Sequence, residues 1–440
     1  MFETLRSAFK VEEIRKKLFY TFMMLIVIRL GSQVPVPGAN IDAFKSFLDN
    51  MRNNAGDAWA LFNAMTGGSF ENLSIFALSI SPYITSSIIM QLLTIAIPKL
   101  EEMQHDGEEG RKKIAEITRY VTVGLALIQS IAMAIGFQNQ GYLDSGLFTI
   151  ILVVASFTAG SAVLMWIGEQ ITEKGIGNGI SIVLVINIIS RIPSDISTLI
   201  EKFVSGKNIA PATLAVCIIL AVIIVTIVLV VILNSAERRI PVQYSKKVQG
   251  RKMIGGQSSH IPLKINTAGV IPVIFASSLM SFPVVIANLI GKSPKSGFWA
   301  YVFKGLTSSN WCKPGEWIYS IGLLVYIVLC VFFAYFYTSI TFNPLEIADN
   351  MKKQGGFIPG IRPGKSTSDY LSKILNYVIF IGVVGLIIIC VIPIFFSGVF
   401  GASVSFGGTS LIIIVSVTME TLKQMQSQLV VRSYKGFLKK

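Results

Sequence analysis

PATLAVCIILAVIIVTIVLVVILN, residues 211–234, carries no charge over its whole length. A bilayer core of about 30 Å is crossed by roughly 20 apolar helical residues, so this stretch reads as a transmembrane helix. The fold then depends on how many others accompany it. Apolar runs of similar length recur at 18–37, 73–97, 119–138, 147–170, 179–200, 268–290, 316–341, 374–396 and 408–430. With 211–234 they make ten. The fifth is the least regular, because Arg191, Pro193 and Asp195 crowd its far end. A composition 52% hydrophobic and 14% charged, with mean hydropathy +0.65, agrees with an all-α polytopic membrane protein.

The net charge of +14 invites a nucleic-acid reading, but the distribution of the charges says otherwise. Of the 38 Lys and Arg, 27 fall on the side of the two termini, counting Lys423 at the inner end of its run, 9 on the opposite side, counting Arg191 at the outer end of its run, and Arg29 and Arg119 lie within runs. By the positive-inside rule both termini are cytoplasmic. Ten spans divide into five and five. An odd number per half means that a duplicated second half enters from the opposite side, which gives an inverted repeat.

The first residues, MFETLRSAFKVEEIRKKLF, place Phe2, Leu5, Phe9, Ile14 and Leu18 at helical spacing among basic residues. Residues 1–17 read as an amphipathic segment on the inner leaflet. No small-residue cleavage pattern follows the first apolar run, which argues against a cleavable signal. Of the cysteines, Cys217, Cys330 and Cys390 lie within runs and Cys312 stands alone in an outer loop. Neither a metal site nor a disulfide framework is expected.

Enzyme chemistry finds little footing. PGIRPGKS (359–366) has Pro359 where a phosphate-binding loop requires glycine, which removes a backbone donor. GIGNG (175–179) follows a span and reads as a tight turn, with Asn178 placed to cap the next helix. His105 and His260 have no ligand spacing, so no cofactor is expected. Charged residues in spans often mark transport sites. Here Arg29, Glu169, Arg191, Glu420 and Lys423 sit near span ends, where snorkelling to the headgroups explains most of them, and Glu420 with Lys423 has pairing distance on one helix face.

Three loops carry features. In the outer loop after the first span, DAWALFNAM (57–65) reads as a short helix capped by Asp57 and stopped by Thr66-Gly67-Gly68. Its rise of about 14 Å cannot cross a bilayer; it floats at the interface or dips into a cavity, and the residues alone favour the interface. The cytoplasmic loop 235–267 alternates Ile240, Val242 and Tyr244 with polar residues and turns near Gln249-Gly250, as a projecting hairpin would. Its Arg238, Arg239, Lys246, Lys247, Arg251 and Lys252 suit anionic lipid or an acidic or RNA-containing partner. The loop 343–373 holds GGFIPGIRPGKS, where Arg362 between Ile361 and Pro363, followed by Lys365, is a fixed guanidinium offered to water.

IFALSISPYITSSIIMQLL (75–93), GEEGRKK (107–113), GIGNGIS (175–181), VQYSKKVQGRK with HIPLKINTAGVIPVIFASS (242–278), NPLEIADNMKKQGGFIPGIRPGKST (343–367) and FGGTSLIIIV (406–415) form an ordered set along the chain. In these motifs the chain resembles the SecY family, over essentially its whole length. The resemblance implies ten spans in inverted halves, 18–200 and 211–430, with a tail at 431–440, around an hourglass pore in the bacterial cytoplasmic membrane. It implies a plug at 57–72, with Asp57, Trp59, Leu61, Phe62, Met65, Gly67 and Gly68, which reverses the residue-based preference for the interface. It implies a pore ring of Ile80, Ile84, Ile180, Leu184, Ile274 and Ile413, with Leu184 where the family prefers Ile or Val. Opening towards lipid would lie between the second and third spans and the seventh and eighth. Implied partners are the small membrane subunits SecE and SecG, the motor ATPase SecA, the ribosome, and signal sequences of secretory or membrane proteins. The two basic loops would receive motor or ribosome. The main rival reading, a small-solute carrier of inverted repeats, calls for a charged site at mid-depth.

Overall fold

The structure, a computed structural model, describes residues 6–437 apart from 8, 41–43, 45–65, 140, 145, 204–208, 245, 246, 250, 251, 255–257, 290–296, 308, 309, 313–316 and 401–407. In the amino-terminal part the helices are α1 (Glu12–Gly31), α2 (Ser81–Ala96), α3 (Pro98–His105), α4 (Gly107–Asn139), α5 (Leu147–Lys174) and α6 (Gly179–Phe203). Then come α7 (Ile209–Ser235), strands β1 (Glu237–Tyr244), β2 (Lys247–Gln249), β3 (Lys252–Ile254) and β4 (Ser258–Lys264), and helices α8 (Ile271–Leu289) and α9 (Phe298–Leu306). The chain ends with α10 (Ile321–Thr341), α11 (Pro344–Lys353), β5 (Gly356–Phe357), α12 (Lys365–Phe400) and α13 (Gly408–Phe437).

Each apolar run of the sequence contains a helix, but the bounds move for physical reasons. The run at 73–97 becomes helical only at Ser81, since Leu73 and Ser79 hold positive φ and Pro82 opens the first turn. At its other end Pro98 breaks the chain, and α3 leaves at 106° to α2. The run at 119–138 belongs to a helix that starts at Gly107, and that at 374–396 to one that starts at Lys365. Among the described residues, five helical stretches are long and apolar enough to cross a membrane, or six with the bent pair α2–α3. Shorter apolar helices occupy Gly179–Ser194 and Ile271–Met280.

Small residues let the helices approach closely, as membrane packing requires. A Cβ on Gly160 would lie 2.0 Å from the Ile75 carbonyl oxygen, and one on Gly179 would lie 1.9 Å from that of Gly168. Gly179 donates its N–H to Thr172 Oγ1 at 2.9 Å, and Asn178 Oδ1 accepts from Ser181 N, so the GIGNG turn caps α6 as its sequence suggests. Gly179→Ala is expected to destabilise the protein by about 1–3 kcal/mol through overpacking against rigid backbone. Gly124, on α4 with open space around its Cα, gives the contrast. Gly124→Ala gains up to about 1 kcal/mol of helix propensity. Thermal unfolding of the two variants in detergent checks the pair; equal midpoints would contradict it.

The expected hairpin in 235–267 is present: β1 pairs antiparallel with β4, and β2 with β3 with Gln249 opposite Lys252. Ile240 and Val242 are buried on one face while Arg239, Pro241 and Gln243 face out. β5, from the other large loop, adds to the free edge of β1 and pairs Tyr244 with Gly356, so one sheet in the order β4-β1-β5 joins both loops.

Candidate functional site

Ile80, Leu184 and Ile413 are buried in one apolar cluster with Ile28, Phe76, Leu164, Ile167, Ile171, Val183 and Ile188. Ile84, Ile180 and Ile274 pack against that cluster, half-buried. All six residues expected in the ring therefore belong to, or pack against, this one apolar cluster. They come from the start of α2 and from α6, α8 and α13, elements drawn from both halves of the chain. Ile80 is the residue before α2, and its carbonyl accepts from Ile84 N at 3.1 Å, so the pair shares the first turn of the helix. Ile180 and Leu184 sit one turn apart at the start of α6. These six side chains present branched aliphatic surface and no hydrogen-bonding group.

A polar layer adjoins the cluster on the side where α6 leaves it. Asn187 Nδ2 donates to Ser79 Oγ at 3.2 Å. Arg29 Nη1, at 3.1 Å, and Ser190 Oγ, at 3.4 Å, both donate to the carbonyl oxygen of Gly67. Arg191, 8% exposed, pairs with Glu71. Snorkelling therefore does not describe Arg29 and Arg191: both turn inward to the segment between the first two spans. The carboxylate of Glu71 at Arg191 and the Gly67 carbonyl at Arg29 offset part of the cost of burying each guanidinium. Glu169 likewise pairs with Arg119 across α4 and α5 at 2.8 Å, whereas Glu420 and Lys423 are exposed and form no ion pair among the described residues.

Thr66, Ser69 and Phe70 are almost fully buried, and Gly67 and Gly68 take positive φ with Gly67 against the backbone of Asn187. The end of the 57–72 segment, from Thr66 to Phe70, thus lies inside the protein, while the 57–65 helix expected from the sequence lies outside the described residues. Asp57, Trp59, Leu61, Phe62 and Met65 lie outside the described residues. Nothing in the sequence named Glu71 as Arg191's partner. The available signal was an acid four residues after Gly67, immediately before an apolar run, matched to an arginine in a distant one.

On the opposite side of the cluster, the sheet stands on an apolar base of Ile240, Val242, Leu263, Met351, Ile358 and Leu371. Arg362 is exposed between the half-buried Ile361 and exposed Pro363. Gly360 and Gly364 hold φ of 82° and 103°, a region open to glycine, and Thr367 Oγ1 donates to the Arg362 carbonyl at 2.9 Å. The glycines allow the tight turn, and Pro363 and the Thr367 hydroxyl restrain it at Arg362. Lys365, at the start of α12, and Arg238, on β1, are also exposed. Arg239 pairs with Glu237 at 2.7 Å, and this hydrogen bond holds the Glu237 carboxyl below its ordinary pKa. Lys246 and Arg251 lie outside the described residues; Lys247 and Lys252 are placed by backbone only, in β2 and β3.

The chain matches the SecY family over residues 74–422. It is 42% identical to protein translocase subunit SecY of Halalkalibacterium halodurans, with 100% of both chains covered. The chain belongs to the SecY family. The SecY protein of Thermotoga maritima is 39% identical, covering 100% of this chain and 98% of that one. Among solved structures, the fold is similar to one of a SecY protein whose plug domain stabilises the closed channel, with TM-score 0.62 and 20% identity over 94% and 92% of the two chains. Sec61 from the canine ribosome–channel complex matches over the same shares with TM-score 0.60 and 19% identity. The SecY-family fold accordingly extends over nearly all of this chain.

Proposed function

We propose that this chain is the pore subunit of a bacterial protein translocase: it conducts unfolded polypeptides outward across the cytoplasmic membrane and releases apolar segments sideways into lipid. One observation carries the reading above all. Six aliphatic side chains, from the start of α2 and from α6, α8 and α13, belong to or pack against one apolar cluster, which this reading takes as the pore collar. Aliphatic side chains can part around a polypeptide of any sequence without hydrogen-bonding it, and when no chain is present their contact excludes water and ions. A solute carrier calls for charge at the waist, and here the charges lie in the layer beside it.

In this reading the ten spans form inverted halves, 18–200 and 211–430, with both termini cytoplasmic. The 57–72 segment is the plug, tethered at Gly67 by Arg29 and Ser190 and at Glu71 by Arg191. Signal sequences enter between the second and third spans and the seventh and eighth. An apolar signal helix gains free energy in lipid, so it shifts the channel towards its open state. The joined loops, with Arg238, Arg239, Lys246, Lys247, Arg251, Lys252, Arg362 and Lys365, receive SecA or the ribosome, and anionic lipid lies beneath them. SecE and SecG are the companion subunits. The chain is not an enzyme; nucleotide is consumed by the partner.

The test is site-specific crosslinking from Ile80 and Ile274 to a secretory chain arrested in transit. Both positions are expected to crosslink to the same nascent chain. Crosslinks confined to Arg362 and the basic loops would leave a docking protein and remove the conducting role.

A further inference from the structure

α9 and the 3₁₀ turn Trp317–Ser320 form a compact cap on the end of α10 remote from the sheet. The attachment is tight. Trp311, 3% exposed, donates its indole N–H to the Gly305 carbonyl at 2.7 Å and lies 5.6 Å, ring to ring, from Tyr326 of α10. A Cβ on Gly322 would meet that same Gly305 oxygen at 1.8 Å, so α9 rests directly on the first turn of α10. Cys312 N donates to Ser320 Oγ at 3.2 Å and closes the cap.

Its outer side is strongly apolar. Phe298 is 76% exposed, Trp299 64%, Tyr301 60%, Trp317 61% and Ile318 71%. Lys304 is exposed beside them, its Nζ 5.8 Å above the ring of Tyr319, which stacks on Tyr301. So large an apolar surface is normally covered. What covers it follows from continuity: Trp317, Ile318, Ile321, Leu324, Val325, Val328 and Phe332, all exposed, run as one stripe from the turn down α10. That stripe faces lipid, because α10, at 21 residues, rises about 31 Å and matches the bilayer core. The aromatic cap stands where the stripe leaves the hydrocarbon. Trp and Tyr concentrate at that depth, with a lysine head reaching for phosphate.

We propose that α9 and the Trp317–Ser320 turn form a membrane foot: Phe298, Trp299, Tyr301 and Trp317 embed in the headgroup–acyl boundary of the leaflet opposite the sheet, and Lys304 contacts lipid phosphate. The foot fixes the depth of α8 and α10, which it joins. It depends on the chain spanning a membrane and not on what the chain conducts.

The test compares the full-length chain, with any subunits that copurify, to its Trp299→Phe/Trp317→Phe variant in phosphatidylcholine–phosphatidylglycerol vesicles. The vesicles contain acyl chains brominated at carbons 6,7 or at carbons 11,12. The emission lost in the variant is the emission of the foot. It is expected to be quenched about twofold or more by the shallow bromines and less by the deep ones, as interfacial indoles are. Absence of quenching by either lipid would mean that protein, a second copy or a subunit, covers the patch, and would overturn the proposal. Stronger quenching by the deep bromines would overturn it also. Phenylalanine keeps the apolar volume, and a separate Lys304→Glu variant reads the phosphate contact: its foot emission is expected to shift to the red, and an unchanged spectrum would remove the lysine from the proposal.

Discussion

Arg362→Glu is expected to reduce transport of a secretory precursor about 30-fold or more, the effect of losing an interface hot spot of 2 kcal/mol or above, while the protein remains inserted and folded. The side chain is exposed and supports none of the apolar clusters. Its backbone is restricted by the following Pro363 and held at the carbonyl by the Thr367 hydroxyl, so less entropy is lost when a partner engages the guanidinium. Charge reversal replaces a bidentate donor with repulsion for the same carboxylate or phosphate. Arg362→Lys keeps the charge without the fork and is expected to fall between the two. Uptake of a precursor by inverted vesicles measures all three; normal uptake by the glutamate variant would remove Arg362 from the docking surface.

The second large effect concerns the seal. Ile413 is 5% exposed and shares its cluster with Ile80 and Leu184. An asparagine there buries an amide with no side-chain partner in the collar, at about 1–3 kcal/mol, and the collar relieves that penalty by admitting water. Ion leak through reconstituted bilayers is expected to rise about tenfold or more, since 1.4 kcal/mol is a factor of ten. Its neighbour supplies the control. Ile412, 2% exposed, belongs instead to the cluster of Val230, Phe275, Phe333 and Leu386. Ile412→Asn should lower thermal stability without a comparable leak, because it faces packed helices and not the collar. Equal leak from both variants, or none from Ile413→Asn, would sink the assignment of the ring.

Much of this was legible beforehand. The run at 211–234 and its companions are long because the backbone must satisfy its own hydrogen bonds in lipid, and that requirement is local. The alternation of Ile240, Val242 and Tyr244 and the cap at Asn178 are also local, and both are found in the structure. The start of α2 was misplaced by eight residues' worth of apolar composition. Hydropathy does not register the positive φ at Leu73 and Ser79 that keeps 73–80 out of the helix.

The sequence by itself determined the solvent of this protein, its helical class, the side on which its charges gather and the rigid presentation of Arg362, since each follows from composition, periodicity or a neighbour within a few residues. Only the tertiary structure decided that Ile80, Leu184 and Ile413 share one apolar cluster, that Arg191 answers Glu71 and Arg29 answers Gly67, and that β5 joins the two large loops through Gly356. In each of these cases the interacting groups are tens to hundreds of residues apart. An aliphatic side chain that lines a collar is chemically the same as one that faces lipid, and a buried arginine is recognised only by the distant acid that meets it.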